Sequence, residues 1–254
     1  MLVAASLALM LAACATLPGG PTAGLLPTPT QAQERLEARR LAVSGFSMEG
    51  EINAQGPGGE ISGEQRILGR FPDRLRAEVM GPFGKPALLF ICDGARMAVL
   101  AYGENKGYVG PATRGNVARF LGLALTPAEV YTLLTGSVPL IPNAQARVYA
   151  SSAPGQALLE LDDGAGTRQG LIFSLGDYAV QQAWVSGPKG ETLNGRFESF
   201  ISQDGERRPR RVVLTAGDNR MLTLMNDEVR VNPALDEALF EPVLPSGVET
   251  QELP

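Results

Sequence analysis

Short stretches in which apolar and polar residues alternate fill most of the chain from Val43 to about residue 231. In residues 75–79 and 222–224 every second side chain is apolar. Because successive side chains of a strand point to opposite faces, this pattern predicts antiparallel hairpins with one apolar and one polar face. Residues 88–91 are apolar throughout, so this strand is expected to be covered on both faces or to lie against a ligand. Turns are predicted at Asp93-Gly94, Gly103 to Gly107, Asp163-Gly164, Asn194-Gly195 and Asp204-Gly205.

Two helices are predicted to interrupt the strands near the middle of the chain. The first covers residues 114–121 and ends near Gly122. The second begins with Thr126-Pro127-Ala128-Glu129, a capping box with proline at the first helical position, and is closed by Gly136. Its apolar stripe, which is expected to pack on the apolar face of the sheet, consists of Val130, Leu133 and Leu134.

The beginning of the chain has the pattern of an export signal. Residues 2–13 form an apolar run that is too short to cross a bilayer of about 30 Å, and it is interpreted as the core of a signal peptide covering residues 1–13. The run ends in Leu11-Ala12-Ala13-Cys14, which resembles the bacterial lipobox, where the cysteine is lipidated before cleavage. No lysine or arginine precedes the run, and a start codon assigned too late would explain this departure. The alternative is a buried thiol after an ordinary apolar start.

Residues 14–30 are predicted to be a flexible tether, because the stretch after the cysteine contains four prolines, three glycines and no charged residue. Thr30 and Gln33 have the spacing of a capping box, so a first helix is predicted over residues 31–41. A single folded domain is expected to occupy residues 31–254.

Composition excludes several classes of function. The net charge of −5 and the absence of a long basic segment argue against nucleic acid as a partner. The chain contains no histidine, which removes the commonest catalytic base and zinc ligand, and no phosphate-binding glycine motif is present. The clustered carboxylates near Asp162 are explained by turns, and Cys92 is interpreted as a small buried apolar residue rather than a nucleophile. We therefore expect no enzymatic activity, no cofactor and no metal.

Two segments carry a resemblance to a known family. The segment from Leu75 to Gly84, which ends in Gly81-Pro82-Phe83-Gly84, and the segment from Phe120 to Gly136 resemble, in order and spacing, the LolB family of outer-membrane lipoprotein receptors. Thr126 intervenes between the leucine and the proline of that family's helix motif. The ending from Asn232 onward is more similar to uncharacterised LolB-like lipoproteins and to the wider LolA-like superfamily.

The resemblance implies a mainly β fold with helices (α+β), an incomplete antiparallel β-barrel closed by a few α-helices around an apolar cavity. It also implies a monomer that is anchored in the outer membrane by lipid on Cys14 and faces the periplasm. Such a receptor takes acylated lipoproteins from a periplasmic LolA-like carrier and releases them into outer-membrane lipid without catalysis. Ala15 and Thr16 agree with this location, since the family's sorting rule reserves aspartate after the cysteine for inner-membrane retention. An envelope adaptor that uses the same fold without cargo is the alternative, and an enzyme is a third possibility.

The resemblance and the size of the side chains also assign candidate site residues. Pro82, Phe83 and Gly84 take the place of the family's protruding apolar loop, which is expected to enter the membrane; the alternative is that Phe83 folds back into the core. The sequence does not show which of the two alternating faces of each strand points to the cavity. The candidate lining residues are Phe46, Leu88, Phe90, Phe120, Leu121, Val130, Leu133, Leu134, Trp184, Phe197 and Phe200.

Overall fold

The computed structural model describes residues 26–56, 59–203, 206–217 and 220–254. The predicted signal peptide, Cys14 and most of the predicted tether lie outside the described residues, as does the turn predicted at Asp204-Gly205.

One sheet of fourteen strands forms the framework of the described chain. Its strands follow the order β14-β6-β5-β4-β3-β2-β1-β13-β12-β11-β10-β9-β8-β7. Neighbouring strands are antiparallel except β14, which runs parallel to β6. Strands β14 and β7 end the order without pairing to each other, so the sheet is open and the predicted incomplete barrel is confirmed. The strands are β1 (Gly45–Gly56), β2 (Gly59–Arg70), β3 (Arg74–Met80), β4 (Pro86–Cys92), β5 (Arg96–Ala101), β6 (Lys106–Pro111), β7 (Gln145–Ala150), β8 (Gln156–Asp162), β9 (Arg168–Ser174), β10 (Val180–Ser186), β11 (Thr192–Gln203), β12 (Glu206–Ala216), β13 (Arg220–Val231) and β14 (Glu249–Glu252).

The first helix, α1 (Pro29–Leu41), begins two residues earlier than predicted. Thr28 is its N-cap: the Thr28 hydroxyl accepts from the Gln31 amide at 3.2 Å, and the Gln31 side chain accepts from the Thr28 amide at 2.9 Å. The capping box predicted at Thr30 is therefore wrong, and so is the tether boundary at residue 30. Both threonines have a glutamine three residues later, and the earlier one places a proline at the start of the helix, where its missing N–H costs nothing.

The two middle helices have the predicted bounds. Helix α2 (Arg114–Leu121) ends at Gly122, which adopts a φ of 76°. Helix α3 (Pro127–Leu134) begins with the predicted capping box between Thr126 and Glu129. Among the described residues, none of these helices is both long and apolar enough to cross a membrane.

The turn predicted at Asn194-Gly195 is wrong, because both residues lie inside β11. Asn194 pairs with Trp184 on one side and Thr215 on the other. The reversal between β10 and β11 takes place at residues 187–191, where Gly190 has a φ of 82°. Strand pairing on both sides outweighs the local turn preference of the dipeptide.

Strand β4 is covered on both faces, as predicted. Leu88 and Phe90 pack against the main core, whereas Leu89 and Ile91 point to the other face. There they form a second small core, completed by Leu100 of β5 and by Leu244 and Val248 of the C-terminal segment. This segment then adds β14 to the sheet beside β6.

Cys92, at the end of β4, is fully buried, so its thiol is expected to be unreactive in the folded protein. Burial raises the pKa of its thiol from 9.0 to about 12.

We predict that Cys92 does not react with a thiol reagent at pH 8 in the folded protein and reacts completely in denaturant. The measurement uses the Cys14→Ser protein, so that only Cys92 can react. Since the unfolded thiol ionises first, the free energy of unfolding should fall as the pH rises from about 9 toward 12. Rapid labelling of the native protein would contradict this.

Candidate functional site: an apolar cavity under two helices

An apolar cavity of about 90 Å³ lies between the concave face of the sheet and helices α2 and α3. All seventeen of its lining residues are apolar, and no charged or hydroxyl side chain contributes to the wall. The sheet supplies Ile52, Ala54, Ile61, Ile67, Leu75, Ala77, Val79, Leu88, Phe90, Leu222 and Leu224, and the helices and their flanks supply Val117, Phe120, Leu121, Pro127, Val130 and Leu134.

The two helices present one face each to this cavity. In α2 the lining residues Val117, Phe120 and Leu121 are three and four residues apart, the spacing of one helix face. In α3 the lining positions 127, 130 and 134 are also three and four residues apart. The capping box therefore fixes not only where α3 begins but which of its side chains enter the cavity.

Several polar contacts hold these helices in place. The buried Asn116 side chain of α2 donates to the Pro111 and Pro254 carbonyls at 2.9 and 2.8 Å. The Arg220 guanidinium of β13 donates to the Gly122 carbonyl, at the end of α2, at 3.1 Å.

The Arg114 guanidinium joins the two helices, since it donates to the Glu129 carboxylate of α3 at 2.5 Å and to the Ala124 carbonyl at 2.9 Å. The Tyr131 hydroxyl of α3 donates to the Val43 carbonyl at 2.9 Å, and burial raises the pKa of this phenol. Exposed ion pairs such as Arg114–Glu129 contribute about 1 kcal/mol or less, so the buried hydrogen bonds and the apolar contacts hold the two helices over the sheet.

Charges cluster at the other end of α3. Arg39 of α1 and Arg208 of β12 are both buried, and burial lowers the pKa of each guanidinium. Glu206 pairs with both of them, and the Arg39 guanidinium also donates to the Arg207 carbonyl. This cluster joins α1 to β12 and leaves the cavity free of charge.

Six of the eleven predicted lining residues are part of the cavity wall: Leu88, Phe90, Phe120, Leu121, Val130 and Leu134. The other five do not line it, so the prediction that they form part of the wall is wrong. They are Phe46, Leu133, Trp184, Phe197 and Phe200.

Each of the five has an identifiable place elsewhere. Phe46 lies over Gly69, where a Cβ would come within 2.2 Å of its ring, and it contacts Tyr131 at 5.2 Å between ring centroids. Leu133 and Phe197 are buried in the packed core outside the cavity. Trp184 points to the face opposite the buried Ala183 and covers Gly170 of the neighbouring strand. Phe200 lies under the Arg207 guanidinium at 4.8 Å.

The residues missed by sequence reasoning are mostly small or medium aliphatic side chains of β1, β2, β3 and β13. Their signal was present, because the alternation in residues 75–79 and 222–224 separates one face of each strand from the other. Selecting candidates by size gave too much weight to aromatic residues. The positions of β3 and β13 that point to the concave face are those of Leu75, Ala77, Val79, Leu222 and Leu224.

The volume of the cavity determines what it can hold. Typical small-molecule pockets measure about 300–1,000 Å³, whereas this cavity measures about 90 Å³. A full acyl chain therefore requires the helices to move away from the sheet. Each methylene that enters contributes about 0.8 kcal/mol of transfer free energy, which is available to drive such a movement.

The hairpin between β3 and β4 ends in an exposed aromatic residue at the edge of this site. Residues Pro82–Gly84 form a short 3-10 turn closed by a hydrogen bond from the Gly81 amide to the Lys85 carbonyl at 2.7 Å. Phe83 is 98% exposed and has a φ of 64°, a left-handed conformation that costs a bulky residue about 1 kcal/mol or more. Its side chain is thus held out from the fold, and the alternative that it folds back into the core is wrong.

The base of this exposed hairpin lies at the cavity, whereas Phe83 at its tip borders a separate depression with Glu51, Glu64 and Met225, whose positions alternate with those of the cavity wall. The pair Val79 and Leu88, which forms the base of the hairpin, is part of the cavity wall. Phe83 is four residues from one and five from the other, a distance of at most about 13–17 Å along an extended chain. The partly exposed lining residues Ala54 and Ile61 lie at the same end of the sheet, so the cavity approaches solvent near the loop.

The arrangement defines a class of protein: an open β-barrel with an apolar interior, covered by helices and carrying an exposed apolar loop at its rim. No protein-family model and no curated protein matches the sequence. Among solved structures, a LolA superfamily protein from Nitrosomonas europaea superposes with a TM-score of 0.56 at 14% identity, over 84% of this chain and 97% of that chain. A putative outer membrane lipoprotein-sorting protein domain from Vibrio parahaemolyticus gives 0.55 at 16% identity, over 84% and 96%.

A third structure, a DUF1329 family protein from Desulfovibrio piger, has a TM-score of 0.55 at 12% identity and covers 85% of this chain and 98% of that chain. At these identities the likeness is one of fold. The chain has the LolA/LolB-like fold, as the resemblance of residues 75–84 and 120–136 implied.

Proposed function

We propose that this protein is a lipid-anchored receptor of the outer membrane, which faces the periplasm, binds the acyl chains of lipoproteins and inserts them in that membrane. The observation that carries the proposal is the wholly apolar cavity between the sheet and helices α2 and α3. A site of this chemistry removes hydrocarbon from water, and no side chain in its wall can activate a reacting group.

The other parts of the proposal follow from this site and from the sequence. Lipid on Cys14 anchors the receptor, a LolA-like carrier delivers the cargo, and Phe83 enters membrane lipid during release. The protein acts as a monomer, without catalysis, cofactor or metal. Similarity of fold to a lipoprotein-sorting protein domain supports the class of cargo.

The alternative is an envelope adaptor that uses the same fold without lipid cargo. One observation favours it: the cavity volume of about 90 Å³ is smaller than an acyl chain requires. The adaptor hypothesis requires the helices to stay closed, whereas the receptor hypothesis requires them to open.

The experiment that separates the two is capture of labelled cargo. Cells are grown with an alkyne-bearing palmitate analogue, and tagged receptor carrying Cys14→Ser, which removes its own lipid, is purified from the periplasm. We expect labelled lipoproteins to copurify and to be transferred to liposomes that contain anchored wild-type receptor. Absence of labelled cargo, together with failure of acyl lipopeptides to bind the purified protein, would reject the receptor function and leave the adaptor.

A further inference from the structure

Two amide side chains lie on the concave face of the sheet among the residues that form the apolar cavity. Gln65 of β2 and Asn226 of β13 are 4% and 0% exposed, and the Gln65 Nε2 group donates to Asn226 Oδ1 at 2.9 Å. The two residues are 161 positions apart in sequence. Their contact passes over β1 at Gly50, which pairs with both of them and has no side chain to separate them.

The structure of β1 is adapted to this contact. The register between β1 and β13 shifts next to Gly50. A Cβ at this position would lie 2.1 Å from the Met225 carbonyl oxygen, so only glycine allows the strands to approach as they do. The amide pair is therefore a built feature of the sheet.

The pair lies between rows of cavity-lining residues, and neither amide is itself part of the cavity wall. Side chains two residues apart on a strand point to the same face. Ile67 lies two residues from Gln65 on β2, Leu224 lies two residues from Asn226 on β13, and both line the cavity. Val79, which pairs with Gln65, lines it as well. The row of paired residues that contains the two amides, running across β2, β1 and β13, thus lies between two rows of apolar wall residues.

Leu134 of α3 covers this row. It lines the main cavity and also a smaller one beside Met48 and Val229, on the other side of the row that carries the amides. A movement of α3 that enlarges the cavity enough for a lipid therefore exposes the amides to whatever enters.

Each amide retains an unused hydrogen-bonding group. Gln65 Oε1 and Asn226 Nδ2 are buried without a hydrogen-bond partner, which leaves one acceptor and one donor on the two side chains of the pair. A rotation of both amides exchanges these roles and leaves the same set. A buried donor and acceptor without protein partners favour a ligand that supplies one of each.

We propose that Gln65 and Asn226 bind the secondary amide of an N-acyl lipid, with the ligand carbonyl accepting from Asn226 and its N–H donating to Gln65. This inference rests on the proposed function, since the lipid must first open the cavity. A secondary amide has one donor and one acceptor, whereas an ester has only acceptors. At the acylated cysteine of a lipoprotein this amide lies between its own acyl chain and the glycerol-linked chains, which matches a polar row between apolar rows. The amide-linked chains of lipid A have the same chemistry.

The test compares lipids that differ only in this linkage. Peptides carrying one palmitoyl chain through an amide, an N-methyl amide or an ester displace diphenylhexatriene, an apolar fluorescent hydrocarbon, from the purified wild-type protein and from a Gln65→Met/Asn226→Leu variant. For the wild type we expect the amide to bind about tenfold more tightly than the other two, the effect of two modest hydrogen bonds. In the variant the three should bind equally, with affinity for the hydrocarbon unchanged. Lipid A, tested in the same way, distinguishes the two sources of the amide.

The outcomes separate this inference from the proposed function. Equal binding of all three peptides to the wild type, or a preference that persists in the variant, overturns amide recognition while leaving the receptor function in place. If neither hydrocarbon nor lipopeptide binds the wild type, both proposals fail.

Because replacing both partners by apolar groups avoids an unpaired polar group, the variant should melt at or above the wild-type temperature. If the variant does not fold, NMR of the wild type replaces it, with the side-chain amide resonances of Gln65 and Asn226 as the readout. Chemical-shift changes with the amide peptide but not with the N-methyl amide peptide support the inference. Identical changes with both peptides overturn it.

Discussion

Replacing Phe83 by glutamate is expected to abolish delivery of cargo to membranes while leaving folding and cargo binding within about twofold of the wild type. Phe83 is 98% exposed, so the change removes no packing contact. Entry of the phenyl ring into an apolar phase contributes about 1.5–3 kcal/mol, and a carboxylate at the centre of a bilayer costs about 2.5 kcal/mol or more. The combined change of about 4 kcal/mol corresponds to roughly a thousandfold in an equilibrium constant. The measurement is transfer of a labelled lipoprotein from receptor to liposomes.

Two further variants control this experiment. Phe83→Leu keeps an apolar side chain at the tip and should retain most of the transfer activity. Val243→Glu places the same charge at another exposed apolar residue, 68% exposed and in the C-terminal segment, and should have no effect. Delivery at the wild-type rate by Phe83→Glu, or equal loss in Val243→Glu, would show that the β3–β4 loop is not the membrane contact.

Local signals in the sequence were sufficient for the features that depend on neighbouring residues. The bounds of α2 and α3 follow from a glycine with positive φ and a capping box, and the structure has both helices at those positions. The exposure of Phe83 follows from its place between a proline and a glycine at a hairpin end. In each case a few adjacent residues determine the backbone, so no knowledge of the remaining fold is required.

Features that depend on distant pairing could not be predicted in the same way. Asn194-Gly195 has a turn signal, but hydrogen bonding to β10 and β12 keeps it extended. The place of β14 beside β6 and the contact of Gln65 with Asn226 join segments more than a hundred residues apart. The five wrong residues of the eleven predicted for the cavity wall failed for a different reason. Phe46 and Trp184 were chosen for size, yet both rings fill the space over a glycine on the adjacent strand.

Glycines account for the place of two of these rings. Gly69 receives the ring of Phe46, and Gly170 receives the ring of Trp184 on the face of the sheet opposite the buried Ala183. The cavity is lined instead mostly by aliphatic side chains, among them Ala54 and Ala77, together with Phe90 and Phe120. Protein interiors are otherwise close-packed, so a cavity persists only where the side chains that face one another leave space unfilled.

Filling this space should have opposite effects on stability and on binding. Ala77 lines the cavity in β3, between its paired residues Ile67 and Phe90. In Ala77→Phe the added ring occupies the cavity of about 90 Å³. At about 24 cal/mol per Å³ of cavity removed, the free energy of unfolding should rise by up to about 2 kcal/mol. The same ring obstructs the path of an acyl chain, so affinity for palmitoyl peptides should fall by at least about tenfold, as measured by displacement of the hydrocarbon probe.

The opposite signs distinguish this result from simple misfolding, in which stability and binding would fall together. Ala150→Phe, which adds the same ring at an exposed position at the end of β7, is the matched control and should change neither quantity. If Ala77→Phe is stabilised and still binds palmitoyl peptides with wild-type affinity, the acyl chain does not enter this cavity, and the site for cargo must be sought elsewhere on the barrel. If binding is lost in Ala77→Phe while Ala150→Phe binds normally, the interior under α2 and α3 is the place where the chain is held.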